Sequence, residues 1–248
     1  MSYQQHYDEL AALESVQAEA FMGDVNTSQE LCDLIVALAL IYNDLRDTHS
    51  AHILLNEVEP QQPASETPEC GQFHGLRLHV MRLQVGLVDE LLNVVRRHER
   101  VLQEQTFRKV VSQLGKDAKL RWAAIVGVAL GKKTGDETAR KLAIIRNKIA
   151  FHYDTTEIGR GFRESFLGKG DHGRHPLLSR GGSVAETRFY FADAAAQACI
   201  LPHGQPSLGN HFFEGGGLVR DINVALYSIV TRFVQVRGYA WRLVHSSI

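Results

Sequence analysis

The chain is poor in the residues and runs that announce several common classes of protein. Its three cysteines, Cys32, Cys70 and Cys199, are far apart and odd in number, which excludes a Cys-x-x-Cys zinc knuckle and argues against a disulfide framework. A reducing cytoplasm is the expected compartment. Nothing near Met1 pairs a basic stretch with an apolar one, so no export signal is expected. The longest apolar runs, at 34–42 and 122–130, fall well short of the ~20 residues a membrane span needs. Proline is scarce, and three of the six prolines sit in 59–70 among Gln, Ser and Thr, which reads as a linker. There is no Gly-x-Ser-x-Gly elbow, no His-Glu-x-x-His and no internal repeat.

Charge is present in both signs but not evenly. Residues 1–70 carry 13 acidic side chains and one basic residue, Arg46, whereas 71–248 carry 26 basic against 15 acidic; a net −12 meets a net +11 to give −1. The basic excess concentrates in 108–148, with 11 Lys and Arg against three acids. A field of that sign favours encounter with a polyanion, and Lys132, Lys133, Arg140, Lys141 and Lys148 are the candidate RNA contacts. The plain alternative is that these side chains solvate the outer faces of two helices. The acidic residues 1–70 either fold over the basic face and screen it, or complete the bundle and solvate its outside.

Helical periodicity runs through the chain. An acidic amphipathic helix is expected over 3–22. Thr27-Ser28-Gln29-Glu30 reads as a capping box opening a helix with Leu31, Leu34, Leu38, Ile41 and Leu45 on one stripe, continued by His49 and His52. A helix over 73–105 is expected to bury Leu76, Val80, Leu83, Leu87, Leu91, Val94 and Val101, and another over 107–130 to bury Val110, Leu114, Ala118, Trp122 and Ile125. Thr134-Gly135-Asp136-Glu137 caps a further helix with Leu142, Ile145 and Ile149 inward. The Gly-rich stretch 159–182 and the segment 202–217 read as loops, with 188–191 extended and a short helix at 193–201 between them. A last helix at 218–245 carries Ile222, Leu226, Ile229, Phe233, Ala240 and Val244. The expected fold is all-α: an antiparallel helical bundle of about four long helices, with an acidic helical N-terminus (1–58), a Pro-rich linker (59–70) and a bundle (71–248) carrying irregular insertions at 159–217.

Chemistry concentrates in one decapeptide, Ile145-Arg146-Asn147-Lys148-Ile149-Ala150-Phe151-His152-Tyr153-Asp154. Arginine offers a planar fork of donors that fits a phosphate, and histidine moves a proton near neutral pH. On a straight helix His152 lies about 120° around the axis from Arg146. The two converge only if the helix ends near Tyr153 or a second protomer supplies one of them. The bland reading is a partly buried histidine inside the bundle, with Arg146 paired to an acid.

Residues 146–152 resemble the R-x(4–6)-H signature of the HEPN superfamily, small helical bundles of which many are metal-independent ribonucleases. Asn147 fits the polar residue that follows the family arginine, and the nearby Asp154 resembles the abortive-infection branch. The likeness is specific over about ten residues; it extends loosely, through helical architecture, to 71–155 and the last helix. It implies that His152 exchanges a proton with the RNA 2′-hydroxyl or the leaving 5′-oxygen, that Arg146 binds the scissile phosphate, and that Asn147 orients the histidine or donates to the phosphate. It further implies a 2′,3′-cyclic phosphate product, no metal or other cofactor, a homodimer and, for a toxin, a protein antitoxin partner. A related branch places a tyrosine two residues after the histidine as an AMP acceptor. Here Tyr153 follows His152 directly, which departs from that pattern.

Other constellations are weaker. His49 and His52 lie near Asp44 and Asp47, but the Glu-x-x-His pairs of a di-iron bundle are missing, and interior histidines are the simpler reading. Gly168-Lys169-Gly170-Asp171-His172-Gly173-Arg174-His175 lacks the Walker spacing and a following helix. Two functional classes stand open: a HEPN-type endoribonuclease of phage defence or a toxin system, and a non-catalytic helical binding or assembly module using the same basic surface.

Overall fold

The computed structural model describes residues 14–61, 67–131, 155–167, 175–179, 187–200 and 217–243. They form an all-α fold: α1 (Gln29–Glu57), α2 (Pro68–Arg97), α3 (Gln105–Ser112), α4 (Lys116–Ala129), α5 (Thr155–Leu167), α6 (Tyr190–Ile200) and α7 (Gly217–Val236). The described strand is confined to β1 (Glu14–Ser15) paired antiparallel with β2 (Arg242–Leu243), which ties the two ends of the described chain together. Single 3-10 turns occur at Ala18–Phe21 and Val101–Gln103.

One apolar core joins α1, α2, α3, α4 and α7. The expected stripe of α1 is buried throughout, from Leu31 to Leu45, as are Ile222, Leu226, Ile229 and Phe233 of α7. The acidic segment therefore contributes a central helix to the bundle, its carboxylates turned outward and its leucines inward. Deleting 1–70 would remove that core helix, so truncation is no test of whether the segment screens a basic face. In α2 the buried side chains include Phe73, Leu78, Val80, Met81, Gln84, Val85, Val88, Leu91, Leu92, Val94 and Val95, whereas Leu76 and Leu83 are exposed. Of the expected stripe, Val80, Leu91, Val94 and Val101 are buried and Leu87 packs against the core, while Leu76 and Leu83 fall outside a buried face that admits Gln84.

Helix ends account for most of the remaining differences. Ser28, not Thr27, caps α1: its Oγ accepts from the Leu31 amide at 3.0 Å and donates to Glu104 Oε1 at 2.5 Å. Thr27 is buried instead against Thr106, their hydroxyl oxygens 3.1 Å apart. Thr67 caps α2 by accepting from the Cys70 amide, and Pro68 occupies its first turn, so the helix begins inside the expected linker. The helix expected over 73–105 stops at Arg97, and the one expected over 107–130 divides around Gly115. α7 ends at Val236 rather than near 245. Gly238 takes φ +84°, and the amides of Gly238 and Tyr239 return to the carbonyls of Gln235 and Val234, a Schellman closure. Of the helix expected over 3–22, the described part holds β1 and a 3-10 turn.

α5 and α6 form a satellite hairpin, and α5 occupies part of the stretch expected to be loop. Phe162 meets Phe166 and Phe191 at centroid distances of 4.9 and 6.1 Å, and Ser165 Oγ donates to the Ala194 carbonyl. The hairpin rests on the first turns of α2. Tyr190 lies over Gly71 and donates its hydroxyl to the Pro68 carbonyl at 2.9 Å, and the Arg188 guanidinium lies over Gly75. Arg188 is held there by Asp193 at 2.7 Å. A Cβ at either glycine would overlap its neighbour, so these two positions set how closely the hairpin approaches.

Candidate functional site

The residues expected to act on RNA, Arg146, Asn147 and His152, and the expected contacts Lys132, Lys133, Arg140, Lys141 and Lys148, lie outside the described residues. So does the second capping box at 134–137, and of the segment Gly168 to His175 only His175 is described. The two ends of the interval that holds the motif are fixed differently. On one side α4 is sunk in the main core through Trp122, Ile125, Val128 and Ala129, and Gly131 closes it at φ +70°. On the other, α5 belongs to the hairpin seated on α2.

The described part of the basic stretch is the α3–α4 pair. Arg108, Lys109, Lys116 and Lys119 are exposed, and none of the described ion pairs involves them. Arg121 is different: its Nε meets Asp221 of α7 at 2.8 Å and a terminal nitrogen reaches Asp117 at 3.5 Å. Glu104 is likewise occupied at the N-terminus of α1, where the helix dipole favours a carboxylate. The outer face of α3 and α4 thus keeps its positive charge while the acids nearby are engaged.

Between these helices runs a groove of about 530 Å³. Leu102, Phe107, Val111, Trp122 and Val126 make it apolar, and Gly127 and Ala123 keep one wall low. Arg108 and Lys119 stand on its rim, Arg108 donating to Gln103 at 2.7 Å. Phe107 and Trp122 meet edge to face at 5.8 Å and are almost wholly buried, so their ring faces are not offered to solvent. Periodicity picks out the inward face of α4 at Ala118, Trp122 and Ile125. The second, smaller apolar face at Ala123, Val126 and Gly127 carried a weaker signal, because small residues at helical spacing look the same on a solvated surface.

Titratable groups elsewhere are built into the scaffold. His52 is buried on α1, with a ring nitrogen 3.2 Å from the Asn56 amide. Burial first, then the charge of Arg77 and His49, lowers its pKa from 6.5 to about 4, so it is neutral at pH 7. A nearby guanidinium opposes a cation as well, and among the described residues no group of three or more His, Cys, Asp and Glu could hold a metal ion. Burial raises the Cys32 thiol above its ordinary value. Among the described residues no helix is long and apolar enough to cross a membrane. No protein-family model, no curated protein and no solved structure matches this chain.

Proposed function

We propose that this chain is a metal-independent endoribonuclease of HEPN type, acting in the cytoplasm as a homodimer in phage defence or as the toxin of a toxin–antitoxin pair. The observation that carries the reading is the Arg146-Asn147-x-x-x-x-His152 spacing, set in a chain whose described residues form an all-α fold. The basic excess that leads into the motif supports a polyanionic substrate.

In this reading His152 takes the proton of the RNA 2′-hydroxyl. The 2′-oxygen then bonds to the adjacent phosphorus as the P–O5′ bond breaks, and the 5′-oxygen leaves with a proton supplied by water, while the His152 imidazolium returns its own proton to solvent. The products are a 2′,3′-cyclic phosphate and a 5′-hydroxyl. Arg146 neutralises the charge that builds on the non-bridging oxygens, and Asn147 fixes the imidazole or donates to the same phosphate. No step calls for a metal.

Purified protein is expected to cleave RNA in EDTA. His152→Ala should slow cleavage by about 10²- to 10⁴-fold, the range of a lost general acid–base group, with an unchanged helical spectrum. Undiminished cleavage by that variant, or cleavage only with added divalent metal, overturns the reading. A mixture of Arg146→Ala and His152→Ala protomers locates the partner of each residue. If one site takes its arginine and histidine from two protomers, heterodimers hold one intact site, and an equal mixture recovers roughly a quarter of the native rate.

A further inference from the structure

We propose that the groove between α3 and α4 docks a short acidic amphipathic helix presented by a partner protein. The inference goes beyond the ribonuclease reading and does not rest on it, because every residue it uses lies on α3, α4 or the turn before them. The groove floor is an apolar strip made by Leu102, Val111 and Val126, too large to be a packing defect and open along one side. From Lys119 to Gly127 the wall of α4 rises about 12 Å at 1.5 Å per residue, which matches two turns of a docked helix. Apolar side chains at i, i+3 or i+4, and i+7 of such a helix would lie along the strip.

Charge selects the flanks. Arg108 and Lys119 stand on the rim with Lys109 and Lys116 exposed on the same two helices, and the nearest acids, Glu104 and Asp117, already face Ser28 and Arg121. Glutamates or aspartates beside the apolar positions would meet Arg108 and Lys119, and none of the described residues that line the groove is a carboxylate. The same features disfavour RNA in the groove. Bases bind single-strand sites by stacking on exposed aromatic faces, whereas Phe107 and Trp122 are buried and turned edge to face. The low wall at Ala123 and Gly127 also suits a helix backbone, which approaches closely only where the facing residues are small.

The test uses the full chain and a fluorescein-labelled helical peptide of about 14 residues, with leucines at i, i+3 and i+7 flanked by glutamates. Fluorescence anisotropy should show micromolar binding that weakens as salt rises. Ala123→Glu, at an exposed position, should weaken it at least tenfold by placing a carboxylate at the low wall. Arg108→Glu combined with Lys119→Glu should do the same and should bind a lysine-flanked version of the peptide instead. Equal binding of both peptides by the native chain, or no effect of either variant, overturns the proposal. It is also overturned if labelled oligouridine, rather than the peptide, is what Ala123→Glu displaces, or if native protein self-associates through the groove and excludes the peptide. Should Ala123→Glu fail to fold, the charge-reversal pair, both exposed, decides alone.

Discussion

Arg237 is the residue whose removal should expose how the ends of the described chain are held. It follows α7, yet its side chain is only 4% exposed, and it reaches back across the fold to the segment before α1. One terminal nitrogen donates to the Ala20 carbonyl at 2.7 Å and lies 3.3 Å from Cys32 Sγ; the other donates to Asp24 Oδ2 at 2.5 Å. The guanidinium also lies over the rings of Phe233 and Tyr239, at 5.6 and 6.0 Å. In Arg237→Ala the Ala20 carbonyl loses a charged donor, worth about 1.5–3 kcal/mol. The lost ring contact adds about 1 kcal/mol. The Asp24 arm is left out because water reaches that carboxylate. The expected loss is about 3 kcal/mol, or roughly 6–12 °C in Tm for a chain of this size, read by far-ultraviolet circular dichroism and urea titration. The Asn26 amide and then Arg237 hold the Asp24 carboxyl below its ordinary 3.8, so its share is present at neutral pH and fades only as pH falls through the depressed value. The deficit of the variant should therefore be constant from pH 5 to 8 and narrow in stronger acid. Arg237→Lys keeps the charge but not the fork, and should recover less than half of the loss. A shift under about 2 °C for Arg237→Ala, or native stability in Arg237→Lys, would show that the contact is not a clamp.

Two further perturbations test the core and the hairpin. His52 has a folded pKa of about 4 against an ordinary 6.5, so between those values the unfolded chain binds the extra proton and stability falls as pH falls. His52→Leu should remove up to about 3 kcal/mol of that decline, seen as urea midpoints at pH 7.5 and 5.0 that differ less than in the native chain; parallel declines refute it. Gly71→Ala should raise intrinsic helix propensity by about 1 kcal/mol yet weaken the protein by about 1–3 kcal/mol, because the new methyl meets a Tyr190 ring tethered to Pro68. Limited proteolysis should then cut first within 155–200, and a net stabilisation would contradict the contact.

The parts of this fold that the sequence announced are those where one helix face meets one core. In α1 and α7 large apolar residues recur at regular helical spacing on the inward face, from Leu31 to Leu45 and from Ile222 to Phe233, so these stripes are legible from periodicity alone. α2 faces neighbours on several sides, with α1 and α4 along its length and the hairpin over its first turns. Its buried surface is correspondingly wide, admits Gln84 and leaves Leu76 and Leu83 outside. The division around Gly115 and the stop at Gly238 were each marked by a glycine, but a single glycine inside a periodic run is also tolerated in an intact helix. β1 and β2 carried no local signal at all, since two-residue strands exist only through a partner more than two hundred residues away.

The two candidate sites differ in the same way. The chemistry proposed for Arg146, Asn147 and His152 rests on residue type and short spacing, both of which are properties of the chain itself. The α3–α4 groove depends on which side chains fail to fill a space between two helices, and that is decided only when the helices meet. Phe107 and Trp122 fill its deep side and Ala123 and Gly127 leave its outer wall low, so substitution at Ala123 alters the groove without touching the core beneath. Changes there should separate partner binding from folding, while changes at His152 test the proposed catalysis apart from both. A variant carrying Ala123→Glu should consequently retain native RNA cleavage while losing the acidic helix, and loss of both together would mean that the groove and the motif serve one ligand.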